Sequence, residues 1–165
     1  MLTKFSIKKQ PQTFEFGSSQ INRRPTIGAR VTNNAVISTQ TGVVKYVTFN
    51  TLVYDTNGIY NAGSNTRLTC KTAGYYLIVG KIAFALNATG IRLAIIRKNG
   101  ATSLNQLMIP TNPTLGAALE ITTIADLIIN DYNELGAYQN SGGNLNLDTS
   151  TPSPSAPAFM IHKLQ

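Results

Sequence analysis

The chain has 165 residues, of which 42% are hydrophobic and only 13% charged, with a formal net charge of +7. That length holds one domain rather than two, and that apolar share excludes wholesale disorder. Polarity comes from 20 Thr and 16 Asn, a mixture that excludes long helices and suits β-strands joined by Asn and Gly turns.

Residues 1–29 differ from the rest. The first thirty residues carry Lys4, Lys8, Lys9, Arg23, Arg24 and Arg30 against Glu15 alone, a net of +5. Residues 31–165 hold eight basic and six acidic residues, a net of +2. Pro11, Pro25 and the Gly17-Ser18-Ser19 triplet argue against independent folding. The alternations Phe5/Ile7 and Phe14/Phe16 predict extended pieces suited to adding to a sheet edge on another subunit or protein. The segment is read as an anchoring arm whose contacts are Lys4, Phe5, Lys8, Lys9, Phe14, Phe16, Arg23 and Arg24. An acidic partner surface suits such an arm, and a solvated tail is the plain alternative. No nucleic-acid motif accompanies the basic residues, so nucleic acid is not an expected partner. No apolar stretch of signal-peptide length follows Met1, and no run approaches a membrane span, so neither secretion nor a membrane partner is expected.

From residue 30 to 165 short strands are predicted near 30–38, 44–54, 66–71, 74–86, 90–98, 104–109, 117–129, 133–139 and 157–164. Asn57-Gly58, Ala62-Gly63, Thr89-Gly90, Asn99-Gly100, Pro110 to Pro113 and Ser141-Gly142-Gly143 punctuate them. Short strands at this spacing predict an all-β sandwich or jelly roll. In 117–129, Leu119, Ile121, Leu127 and Ile129 share one parity, and Glu120, Thr122 and Asp126 the other, the pattern of a half-buried strand. In 75–85 both parities are apolar: Tyr76, Ile78, Ile82 and Phe84 alternate with Tyr75, Leu77, Val79 and Ala83. Such a strand must be covered on both faces, yet a two-layer sandwich covers one. A loop or a neighbouring subunit must supply the second cover.

The inventory for chemistry is thin. Cys70 is the sole cysteine, so no intrachain disulfide forms, and its place in a strand predicts a buried, unreactive thiol. His162 is the sole histidine; one Cys and one His do not make a zinc site, and no motif around them suggests a nucleophile and base. Asp55-Thr56-Asn57-Gly58 reads as a hairpin turn rather than a calcium loop, since Thr66 stands where the closing Glu of such a loop is needed. Asp126, Asp131 and Glu134 are expected to face solvent rather than to act as paired carboxylates. Asn87-Ala88-Thr89 matches a glycosylation sequon, a match that chance supplies in so Asn- and Thr-rich a chain. No catalytic residue, cofactor or metal is assigned, and the chain is read as non-enzymatic.

Five elements in order carry a family resemblance over roughly residues 29–165. They are Phe49-Asn50 with Tyr60, Arg67-Leu68-Thr69-Cys70 with Gly74-Tyr75-Tyr76, Arg92 to Gly100, Ala125 to Tyr132, and Ala158 to Leu164. This order resembles the globular head of the complement-one-q family, a tumour-necrosis-factor-like (TNF-like) jelly roll. Asn130 and Met160-Ile161 depart from it, standing where the family commonly has glycine. The resemblance implies a jelly-roll β-sandwich working as a homotrimer, with Tyr75, Leu77 and Phe84 near the trimer interface, and allows a weak calcium site near the trimer axis. The short arm and the charge-poor, Asn- and Thr-rich composition look like a bacteriophage virion protein, assembled in the host cytoplasm: a capsid decoration, head fibre or spike knob held to another virion protein by its arm. The alternative is a soluble or surface recognition module, secreted, binding glycan or protein through loops 99–116 and 139–156.

Overall fold

The computed structural model describes residues 26–149 and 156–164. Among them, twelve strands form two antiparallel sheets. The first sheet contains β1 (Gly28–Thr32), β2 (Ile37–Thr39), β4 (Thr51–Asp55), β6 (Gly74–Phe84), β9 (Ala117–Leu127), β11 (Leu145–Leu147) and β12 (Ala158–Lys163). The second contains β3 (Lys45–Tyr46), β5 (Arg67–Thr69), β7 (Ile91–Lys98), β8 (Thr102–Pro110) and β10 (Tyr132–Gln139).

Strand β6 is the axis of the first sheet. It pairs with β9 along its whole length on one edge and with β12 on the other, while β1 lies between β12 and β4. The first and last strands of the described residues are therefore neighbours: Val31 is registered with Phe159. The even residues of β6, Tyr76, Ile78 and Ile82 among them, point between the sheets, where Ala94, Ile96, Leu135 and Ala137 of the second sheet meet them. Phe49 and Phe159, at opposite ends of the family resemblance, stack there with ring centroids 5.9 Å apart. Cys70 is fully buried in the same core, its Sγ donating to the Thr72 carbonyl at 3.2 Å.

The predicted strands recur with shifted ends. The 44–54 run divides into β3 and β4, with Val47 and Phe49 turned into the core between them. β1 begins at Gly28, so the sheet starts just inside the expected arm boundary; Lys4 to Arg24 lie outside the described residues. β11 lies within a stretch expected to be loop, and β8 fills half of 99–116. Strand β9 ends at Leu127 rather than Ile129. Residues 128–131 turn, Asn130 takes φ 73°, and Ile129 is left 57% exposed instead of joining the core. The left-handed conformation accounts for Asn130 in a glycine position, because Asn tolerates positive φ better than most side chains.

Candidate interaction face

The odd residues of β6 from Tyr75 to Lys81 point away from the core, and among the described residues no element lies over them. Across β1, β12, β6 and β9, registered residues form three rows on this outer face: Gly28–His162–Leu77–Ile124, Arg30–Met160–Val79–Thr122 and Thr32–Ala158–Lys81–Glu120. Tyr75 stands beyond the first row, opposite Asp126. Registered neighbours in a sheet share one face, so one half of this surface is apolar and aromatic. Tyr75 is 61% exposed and Ile124 58%, with Leu77, Val79 and Met160 half-buried between them.

The interface residues expected from the sequence separate here. Tyr75 and Leu77 lie on the open face. Phe84 does not: its even parity sends it between the sheets, where it is 1% exposed and the Arg92 guanidinium sits 5.7 Å from its ring centroid. A ring already enclosed by its own chain has no surface left for a neighbour, so Phe84 is a core residue.

His162 is built into this face. A Cβ at residue 28 would lie 2.8 Å from His162 Nδ1 and 2.8 Å from the Ile161 carbonyl, so only glycine there leaves room for the imidazole. The Tyr54 hydroxyl and His162 Nε2 are 2.5 Å apart. Burial pushes the Tyr54 pKa up, an effect that Arg30 nearby partly offsets, so the phenol keeps its proton.

The acidic residues are held structurally. Asp131, expected to face solvent, is buried: its Oδ2 lies 3.0 Å from Lys98 Nζ and accepts from Ile128 N at 3.0 Å, while its Oδ1 accepts from Asn99 Nδ2 at 2.7 Å. Burial pushes the Asp131 pKa up, but these donors and the Lys98 charge outweigh it and hold the carboxyl below its usual value. Glu134 is also buried, 3.9 Å from Arg67 Nε and accepting from the Thr66 hydroxyl at 3.0 Å. The reason is shared: both belong to the turn and strand that close one end of the second sheet, where backbone amides and basic side chains converge. Asp126 alone of the three is exposed. Asp55 caps its own turn, accepting from Asn57 N at 3.0 Å and Tyr60 N at 2.9 Å, as the hairpin reading requires. Among the described residues no group of three or more His, Cys, Asp or Glu is placed to hold a metal ion, and no helix is long and apolar enough to cross a membrane.

Compared by sequence, the chain matches no protein-family model and no curated protein. Compared by structure, it is similar to many solved chains. The globular domain of zebrafish complement 1qA protein superposes with a TM-score of 0.61 at 15% identity, covering 84% of this chain and 98% of that one. Murine APRIL at pH 5.0 gives 0.66 at 14% identity, with 84% and 99% covered. The Eiger TNF from S. frugiperda gives 0.62 at 15% identity, with 86% and 94% covered. The architecture expected from the sequence is therefore the one observed, and this chain has the jelly-roll fold of the complement-one-q globular heads and TNF-like proteins.

Proposed function

We propose that the chain is a non-enzymatic module that works as a homotrimer, its subunits closing over the outer face of the first sheet. The observation that carries this reading is β6, apolar on both faces with the described residues covering only one. Covering the odd face removes Tyr75, Leu77, Val79 and Ile124 from water. At about 25 cal/mol per Å2 of apolar surface, four such side chains favour association by several kcal/mol. The expected trimer mass by size-exclusion chromatography with light scattering is about 53 kDa, three times the 17.8 kDa chain. A single species near 17.8 kDa refutes the reading. Leu77→Glu with Ile124→Glu, which places two carboxylates on the face, is expected to yield a folded monomer.

The trimer is read further as a bacteriophage virion component, decorating a capsid or forming a head-fibre or spike knob, with residues 1–29 as its anchor. The net +4 of residues 1–29, five basic residues against Glu15, supports this, since three basic arms on one knob bind an acidic surface with avidity. Removing residues 2–25 is expected to leave the trimer intact and abolish attachment to the particle; unfolding after that deletion refutes the division of labour. A second reading, a secreted or surface recognition module, has its own support. Leu86 and Leu115 are 57% and 65% exposed on loops that flank the Phe84–Ala117 register pair, at one end of the sandwich. Glycan or protein binding by the isolated protein, lost on Leu86→Ser with Leu115→Ser, would place that reading first.

A further inference from the structure

The open face is not apolar throughout. Where its second and third rows meet, a cleft of about 190 Å3 is lined by Arg30, Lys81, Glu120, Val79, Ala158 and Met160. The cleft exists because Ala158 is small: it stands between Thr32 and Lys81 in register, and its methyl leaves a gap where its neighbours rise. Three charges line it, and among the described residues none of them is in an ion pair. Among the described residues the ion pairs are Arg67–Glu134 and Lys98–Asp131, and the side chains of Arg30, Lys81 and Glu120 make no hydrogen bond. Lys81 and Glu120 are directly opposed across β6 and β9, so each softens the other's field. Among the described residues Arg30 remains as an uncompensated cation.

We infer that this cleft is a binding site for a small oxyanion, of the phosphate or sulfate class, held by Arg30 and Lys81. The inference rests on the self-association reading. A cleft open to water leaves its cations hydrated, whereas a neighbouring subunit laid over the face removes that water. Desolvated charge is strongly unfavourable unless paired and hydrogen-bonded. The cleft itself holds two cations and one carboxylate, and an anion bound there supplies the missing charge. Guanidinium suits an oxyanion because its planar fork donates two parallel hydrogen bonds, and ammonium adds a point charge. The floor of Val79, Ala158 and Met160 excludes water without competing for the ligand's oxygens.

The test is thermal unfolding and solution mass of the full chain in rising inorganic phosphate or sulfate, at ionic strength held constant with chloride. Arg30→Gln with Lys81→Gln is compared, and so is Ala158→Leu, which fills the cleft and leaves every charge in place. The wild-type midpoint is expected to rise by roughly 5 °C at concentrations 100-fold above the dissociation constant, and the rise to disappear in both variants. Without oxyanion, Arg30→Gln alone is expected to melt above wild type, because it removes the uncompensated charge and leaves Lys81 opposite Glu120. An equal rise in wild type and variants overturns the site, since sulfate and phosphate strengthen burial in any protein. The mass separates the two ideas: a trimer indifferent to oxyanion refutes the site alone, whereas a monomer at every concentration refutes self-association.

Discussion

Single residues show where charge is tolerated inside this sandwich. Arg92 is fully enclosed, with its guanidinium donating to the carbonyls of Asn87 and Thr89, each at 3.0 Å, and Ile91 at 2.9 Å. It holds a loop by main-chain acceptors rather than by a carboxylate. Nothing in a run of Ile and Arg distinguishes it from the half-exposed Arg97 on the same strand. Asp131 is the acidic counterpart. Its folded pKa lies below the ordinary carboxylate value, so its contribution to stability is fully present above the unfolded value of about 3.9 and is lost as pH falls through the folded value. Asp131→Asn is expected to cost about 2 kcal/mol at pH 7, with the gap from wild type closing toward pH 2 in urea titrations; a constant gap would show that the charge is irrelevant. Gly90 is the third case. It takes φ 82°, and a Cβ there would lie 2.7 Å from the Asn140 carbonyl oxygen. Gly90→Ala therefore combines positive-φ strain of about 1–2 kcal/mol with a backbone clash, and its urea midpoint is expected to fall well below that of Gly142→Ala. Gly142 also has positive φ, but nothing lies within 4 Å of a Cβ placed there.

At the scale of elements, β12 decides whether the first sheet exists. It is the sole bridge, among the described residues, from β1 and β4 to β6, and it brings Phe159 and Ile161 into the core. Losing Phe159 alone would cost about 3–5 kcal/mol, of the order of a small domain's whole stability. A chain ending at residue 157 is therefore expected to lack a cooperative thermal transition, whereas one ending at residue 163 should keep it. Strand β9 shows the limit of alternation as a guide. Its parity placed Leu119, Ile121 and Leu127 correctly, but Ile129 continued the pattern on paper after the backbone had turned at Asn130.

For the whole molecule, the proposed trimer makes a prediction that no single-chain property would produce. If folding and association are coupled, the thermal midpoint rises with protein concentration by mass action. A midpoint unchanged over a hundredfold dilution would mean that the subunits are stable apart. The folding of each subunit is expected to be slow, in the millisecond to second range of all-β domains. The first sheet closes only when β1 meets β12, whose registered residues Val31 and Phe159 lie at the two ends of the described chain.

The sequence by itself determined the local and periodic properties: an all-β chain, most of its strands and turns, the core parity of β9, and a resemblance to a jelly roll that the fold bears out. These are legible because alternation and turn chemistry act over two to five residues. Only the tertiary structure decided which apolar positions lie inward and which lie open. Tyr75 and Phe84 look alike as aromatic strand residues, but one is exposed and the other enclosed. Nor could spacing show that Arg30, Lys81 and Glu120 converge on one cleft, that Gly28 leaves room for His162, or that Lys98 neutralises Asp131. Such meetings depend on register between strands far apart in the chain, and register is set by the packing of the whole sheet.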